Sequence, residues 1–127
     1  MKATELRIGN LVRVNDIPVE VLWFDHEGAV CQTLDKKCQC DMNIDPIELT
    51  EEWLLKLGFK YNKLQFCSNK IIVHQYKING ICLSIDESKV NKHEYSFFGN
   101  NFIRTVKHVH QLQNLYFALT EKELIIK

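Results

Sequence analysis

The chain has 127 residues, of which 46% are hydrophobic and 25% are charged, a composition that suits a globular domain with a sizeable core. Its 16 basic and 16 acidic residues give a net charge of zero, so no overall electrostatic field draws the chain to nucleic acid or to an anionic membrane. The sequence shows neither the apolar segment of a signal peptide nor a run of roughly 18 apolar residues, which predicts a cytoplasmic protein without a membrane span.

The first 49 residues predict four short strands. Residues 6–14 read as extended chain with a turn or bulge at Gly9-Asn10, and residues 19–24 and 29–34 predict two further strands. Residues 37–44 predict the fourth, because apolar residues at every second position alternate with polar ones. Short strands joined by tight turns are typical of a meander or of a small SH3-like barrel.

A short helix is predicted over residues 50–57. Thr50 is the expected N-cap, Glu51 and Glu52 favour the positive end of the helix dipole, and Gly58 suits the left-handed position after the helix. We place a boundary here. Residues 1–49 form an N-terminal β unit and residues 50–127 form an α+β unit that shares a core with it, with a single domain over 1–127 as the alternative.

The second half predicts an antiparallel sheet. Asn79-Gly80 lies between two apolar runs and is the sequence signature of a type I′ hairpin turn. The chain after residue 120 predicts a helical turn at 120–123 and a short edge strand at 124–126. The strands expected before the last helix cover residues 64–68, 71–78, 81–85, 94–98 and 102–106.

The strongest helical pattern covers Val109–Thr120, which has an apolar stripe on one side. No Asp, Glu, Lys or Arg occurs between His108 and Thr120, so the opposite side is uncharged. Such a side indicates a surface covered by a second copy, by a polar ligand or by the N-terminal β unit of the same chain. The candidate ligand or interface residues are His110, Gln113, Asn114 and Phe117.

The predicted fold class is therefore α+β. A small N-terminal antiparallel β unit, either SH3-like or a meander, is followed by a short helix, an antiparallel sheet of two hairpins and one packed C-terminal helix.

Cysteine and histidine residues raise the question of metal binding and catalysis. Cys38 and Cys40 with His108 and His110 offer ligands that suit zinc. A C-x-C spacing is tight for zinc, however, and two helical histidines two residues apart would point about 200° apart. We therefore predict no metal, no cofactor and no catalytic residue.

The remaining cysteines, Cys31, Cys67 and Cys82, lie in strand patterns, which favours buried and reduced thiols. An enzyme is the less favoured alternative. A small hydrolase would need His93 or His110 beside a cysteine or a carboxylate.

Nucleic-acid binding is a further alternative, because small β-barrels stack bases on aromatic side chains that lie beside basic ones. Zero net charge and the lack of a recognition-helix pattern argue against it. The candidate residues are Lys60, Tyr61, Lys63, Lys70, Tyr76 and Lys77.

Three segments of this chain resemble short uncharacterised proteins of Bacteroidales bacteria and of their phages and mobile elements. They are the Leu-Arg-Ile-Gly-Asn segment at 6–10, the Leu-Thr-Glu-Glu-Trp-Leu-Leu-Lys-Leu-Gly-Phe segment at 49–59, and the Val-His-Gln-Leu-Gln-Asn-Leu-Tyr-Phe-Ala-Leu-Thr segment at 109–120. The resemblance implies a phage or mobile-element accessory protein and no particular activity. We expect a non-enzymatic binding protein that acts on a host defence process, with a second copy (as a homo-oligomer), a host protein, a nucleotide or a nucleic acid as its partner.

Overall fold

The computed structural model describes residues 6–14, 16–25, 28–33, 38–41, 44–66, 71–88, 93–98 and 103–126. The chain divides into two compact units. The first contains Met1–Glu48 and His108–Glu123, and the second contains Leu49–Lys107 and Leu124–Lys127. Each consists of an antiparallel sheet and one helix, so the predicted α+β class is confirmed, with its N-terminal β unit, short helix, second sheet and C-terminal helix.

The sheet of the first unit is a four-stranded antiparallel meander in the order β1-β2-β3-β4. After the fourth strand, Asp45 forms a bridge with Arg13 through two backbone hydrogen bonds of 2.9 Å, so the chain returns to the free edge of the first strand. The register is irregular between Val21 and Trp23, which marks a bulge in the second strand. The strands are β1 (Leu11–Val14), β2 (Ile17–Asp25), β3 (Gly28–Thr33) and β4 (Cys38–Asp41).

Apolar side chains on one face of β1 and β2 form the core of this unit. Val12 and Val14 lie on the same face of β1, and Val12 lies directly opposite Val19. Four valines are buried, with Leu6 and Ile44 packed against them: Val12, Val14, Val19 and Val21. Strand alternation alone explains why this face excludes water.

The helix of the first unit is the last in the chain, α2 (Val109–Thr120; α1 belongs to the second unit). Its N-terminus is joined to the chain after β4, since the Val109 N–H donates to the Ile47 carbonyl at 2.9 Å. The division predicted from sequence grouped this helix with residues 50–127. The structure groups it with the N-terminal strands because of hydrogen bonds to residues 7–11, which are described below.

The sheet of the second unit is a five-stranded antiparallel meander in the order β5-β6-β7-β8-β9. Its helix α1 covers Glu51–Lys56 and has the predicted caps: Thr50 Oγ1 accepts from the Trp53 N–H at 3.4 Å, and Gly58 has a φ of +94°. The strands are β5 (Lys60–Phe66), β6 (Ile71–Ile78), β7 (Ile81–Asp86), β8 (Tyr95–Phe98) and β9 (Ile103–Val106).

Two predictions at chain turns differ in outcome. The turn between β6 and β7 has left-handed backbone at both Asn79 (φ 46°) and Gly80 (φ 83°), which confirms the type I′ turn. The edge strand predicted at 124–126 is wrong, since these residues have no regular structure. Glu121 adopts a left-handed φ of 60° that ends α2, so the predicted helical turn at 120–123 is also not formed, and Leu124 is buried without joining a sheet.

Neither helix in the described part of the chain is long and apolar enough to cross a membrane.

We expect Gly80→Ala to destabilise the protein by about 1 kcal/mol, because a side chain is strained in the left-handed backbone of this turn. No atom lies within 4 Å of the position that the new Cβ would take, so the backbone conformation is the cause. Urea denaturation measures the change. Gly80→Asn serves as the control and should cost less, since Asn tolerates this conformation; equal stability of the alanine variant and the wild type would contradict the turn assignment.

Candidate functional site

The uncharged side of helix α2 faces residues 7–11 of the same unit. The Gln113 side chain accepts a hydrogen bond from the Leu11 N–H at 2.7 Å and donates one to the Gly9 carbonyl at 3.2 Å. Gln113 is only 2% exposed, so both bonds form away from water, where leaving these groups unpaired would be costly. The side-chain amide thus pairs with the backbone as a neighbouring strand would.

Asn114 makes the second link between helix and N-terminal segment. Its Oδ1 accepts from the Arg7 Nε and from the Asn10 Nδ2, each at 2.9 Å. Asn10 is fully buried, and its own Oδ1 accepts from the Arg7 backbone N–H. The side-chain amide of Asn10 therefore stabilises the turn at residues 7–10 through its oxygen and bonds to the helix through its nitrogen.

Arg7 extends across the outer part of the same helix. Its Nη1 pairs with the Glu123 carboxylate at 3.0 Å, and its Cζ lies 4.3 Å from the centre of the Phe117 ring. Phe117 is 37% exposed, so the guanidinium covers part of a ring that otherwise meets solvent. Both interactions lie near the surface, where each contributes little to stability.

His110 completes the set of four residues predicted on this helix. It is 1% exposed, and its ring stacks on the ring of His108 with centroids 5.7 Å apart and planes 12° apart. The predicted divergence of the two rings assumed that both residues are helical. His108 is instead the N-cap with extended backbone, which allows the rings to lie parallel.

The polar part of the predicted helix surface therefore makes contacts within the chain, and only Phe117 of the four residues is substantially exposed. The sequence did not reveal Arg7 or Asn10, which lie 107 and 104 residues from Asn114. The signal in the sequence is that uncharged polar groups on a covered helix need hydrogen-bond partners.

A group of hydrogen-bonded aromatic side chains lies on one face of the second sheet. The Tyr61 hydroxyl is 2.6 Å from the His74 Nδ1, and the His74 Nε2 is 3.9 Å from the Glu87 carboxylate. The Tyr61 ring also packs against Tyr76, with centroids 5.2 Å apart. This chain of carboxylate, imidazole and phenol places a histidine beside a carboxylate, as the hydrolase alternative requires, although the histidine is His74.

Two buried tyrosines lie deeper on this face and have altered acidity. Burial raises the pKa of Tyr95 to about 12, with a smaller contribution from the negative charge of Glu51. Burial also raises the pKa of Tyr76 well above its usual range, with smaller contributions from the negative charge of Glu51 and from the neighbouring tyrosines. Both phenols therefore remain protonated and serve as neutral donors or packing groups at ordinary pH.

The six residues considered for nucleic-acid binding do not form one surface. Lys60 lies directly opposite Lys77, and Tyr61 lies directly opposite Tyr76, so the two pairs occupy opposite faces of the sheet. Lys63 shares the face of the tyrosines, and Tyr76 is only 3% exposed. Lys70 lies outside the described residues. A base-stacking surface next to lysines is thus not assembled from this set.

The lysine-bearing face carries a row of uncharged polar side chains that crosses all five strands. Each member lies directly opposite the next, and we call this set the polar row: Asn62, Gln75, Ser84, Ser96 and Thr105. Asn62 and Thr105 at the two ends are exposed, and the three central members are partly exposed. We call the polar row, together with Lys60, Lys77 and Ile103 on the same side, the open face.

Cys82 is the cysteine whose side chain can be placed, and it is partly exposed on this same side of β7. Its Sγ is 4.0 Å from the Ser84 Oγ, a weak contact at most. The side chains of Cys31, Cys38 and Cys40 and all of Cys67 lie outside the described residues. Within the described ranges, no three His, Cys, Asp or Glu side chains are close enough to hold a metal ion.

No protein-family model, curated protein or solved structure gives a match to this chain.

We expect Gln113→Leu to lower the free energy of unfolding by about 2–4 kcal/mol, because it leaves the Leu11 N–H and the Gly9 carbonyl without their partner in a buried site. Phe117→Ala is the matched control on the same helix and should cost less than about 1 kcal/mol. Chemical denaturation of both variants measures the difference. Similar costs for the two substitutions would contradict the central role of the Gln113 amide.

We expect alkaline pH to destabilise the protein through Tyr95. Its pKa is about 12 in the folded protein and near 10 when unfolded, so the folded state holds its proton more firmly. The stabilisation is complete below pH 10 and is lost by roughly 1.4 kcal/mol for each pH unit between 10 and 12. Denaturation at several pH values, compared with Tyr95→Phe, measures this slope. An unchanged slope in the variant would show that Tyr95 is not responsible.

Proposed function

We propose that this chain is a non-enzymatic binding protein that uses the open face of its five-stranded sheet to hold a partner protein. The observation that carries the proposal is the polar row, five uncharged hydrogen-bonding side chains aligned across five strands. Two of the three inner strands, β7 and β8, contribute Ser84 and Ser96, whose small side chains project little above the sheet. A partner can therefore approach close to the sheet along its middle.

The polar row has unused hydrogen-bonding capacity. Within the described ranges, the side chains of Asn62, Gln75, Ser96 and Thr105 make no hydrogen bond to another residue, and Ser84 has only its long contact with Cys82. An Asn or Gln amide offers both donors and acceptors, and each hydroxyl can act in either role. These groups favour a polar partner surface with mixed donors and acceptors.

The shape and composition of the open face favour a macromolecule. Small molecules generally bind concave sites, whereas the face of a sheet is broad and shallow. Ile103, on the outermost strand of this face, is 69% exposed and adds an apolar contact beside the polar row. An interface that combines apolar contact with many hydrogen bonds is typical of non-obligate protein complexes.

The resemblance to mobile-element proteins supports a host defence process as the context of this binding. Two of the three segments that carry the resemblance, at 6–10 and 109–120, form the polar contacts that hold the first unit together. In this proposal the first unit is a stable support, and the partner is a host protein in a defence process.

A second candidate function is nucleic-acid binding, supported by the adjacent Lys60 and Lys77 on the open face. Such binding is strongly weakened by salt, because it releases counterions from phosphates. The placement of Tyr61 and Tyr76 on the other face supports it less, since those rings are not beside these lysines.

We expect Ser84→Trp to abolish partner binding, because the large ring would stand in the middle of the polar row. The protein would be immobilised to capture a partner from a Bacteroidales extract, and the purified partner would then be titrated calorimetrically. Leu55→Trp is the control, since Leu55 is 49% exposed on α1 in the same unit.

The two tryptophan variants separate the possible results. Binding that survives Leu55→Trp and is lost in Ser84→Trp supports the proposal. Failure to capture a partner, or equal binding by both variants, contradicts it, whereas salt-sensitive binding of oligonucleotides would favour the second candidate.

A further inference from the structure

Two lysines on the open face lie side by side, and neither is paired with an acidic residue in the part of the chain that the structure describes. Lys60 and Lys77 are directly opposite in the register of β5 and β6. Like charges placed directly across a sheet repel each other and destabilise the pair. Within the described ranges neither ammonium forms an ion pair, although the same unit contains other ion pairs, as between Lys107 and Glu94. An arrangement that costs stability in the free protein is one that a bound anion would stabilise.

The next pair along the same two strands adds amide donors. Asn62 lies directly opposite Gln75, and both share the open face with the lysines because they are two residues further along each strand. Directly opposite side chains have Cβ atoms about 5 Å apart, and neighbours along a strand on one face are about 7 Å apart. Four donor groups therefore border an area about the size of one carboxylate. We call these four residues the cationic corner.

We infer that the cationic corner binds a carboxylate of an acidic protein segment, so that the partner on the open face is an acidic protein. This inference rests on the proposed function and specifies the chemistry of its partner. Lysine ammonium groups supply the charge, and the amides of Asn62 and Gln75 donate hydrogen bonds to the carboxylate oxygens. Charge-assisted hydrogen bonds of this kind are about twice as strong as neutral ones.

A protein segment fits this surface better than a nucleic acid does. Beyond the corner, the polar row continues with Ser84, Ser96 and Thr105, which match backbone and side-chain amides along an extended polypeptide. Single-stranded nucleic acid binds mainly through bases stacked on aromatic rings and through basic residues that follow the backbone. The strand register places four aromatic residues of this sheet, Tyr61, Tyr76, Tyr95 and Phe97, on the face opposite the cationic corner.

The test compares two fluorescent polymers of equal length, poly-L-glutamate and oligothymidylate, by anisotropy at low salt. We expect poly-L-glutamate to bind the full-length protein, and Lys60→Gln with Lys77→Gln to weaken this binding by roughly tenfold or more. The control is Lys63→Gln with Lys122→Gln, which removes the same charge from the other face of β5 and from an exposed site in the first unit. This control should bind as the wild type does. Circular dichroism would confirm that both variants are folded.

Three results would overturn the inference. The first is tighter binding of oligothymidylate than of poly-L-glutamate. The second is no binding of poly-L-glutamate, and the third is equal weakening in the corner variant and its control.

The captured partner separates this inference from the proposed function. If Ser84→Trp abolishes partner binding while the double lysine variant binds normally, the open face is the binding surface but the partner is not held through an acidic group. If neither substitution affects the partner, both proposals are wrong.

Discussion

The structure of the first unit depends on one buried side-chain amide. Gln113 bonds to the Leu11 N–H and the Gly9 carbonyl, and in doing so it joins the last helix to the first strand. Buried backbone groups almost always find a partner, so a residue that offers both a donor and an acceptor is required at this point of the helix. Asn114, the next residue of the helix, also uses its side-chain amide, which accepts a hydrogen bond from the Asn10 side chain. A charged residue on this side of the helix would have to lose its hydration, which explains the lack of charge from 109 to 120.

The second unit depends instead on strand register. The five strands pair without a register shift, so every second residue of a strand lies on the same face. Tyr76, Leu83 and Phe97 therefore lie on one face, and the polar row lies on the other. The side that packs its aromatic residues uses them for stability, as the raised pKa values of Tyr76 and Tyr95 illustrate. The other side carries the hydroxyls and amides of the polar row and the lysine pair Lys60 and Lys77. Fold and binding surface are thus consequences of the same alternation.

The elements determined by local sequence could be predicted, and those determined by distant contacts could not. Helix α2, the caps of α1 and the Asn79-Gly80 turn follow from nearby residues and are present as expected. The grouping of α2 with the N-terminal strands depends on bonds between residues more than 100 positions apart, which periodicity does not encode. The uncharged helix side predicts a cover, with the N-terminal β unit as one of three candidates, but the sequence does not indicate that Arg7 and Asn10 contribute to it. The proposed base-stacking surface combines Lys60 with Tyr61, but adjacent strand residues point to opposite sides of a sheet, so the two do not share a face.

The contacts of β1 also bear on how the first sheet avoids joining other sheets. A terminal strand with free backbone groups is a template for aggregation, and many proteins protect such strands with charges or prolines. Here the outward groups of β1 are already bonded, at Leu11 by the Gln113 amide and at Arg13 by Asp45. The Gln113 side chain and the segment at Asp45 together take the place of a neighbouring strand. Expression of this unit without its last helix would uncover the edge at Leu11, so the helix prevents unwanted strand addition as well as stabilising the fold.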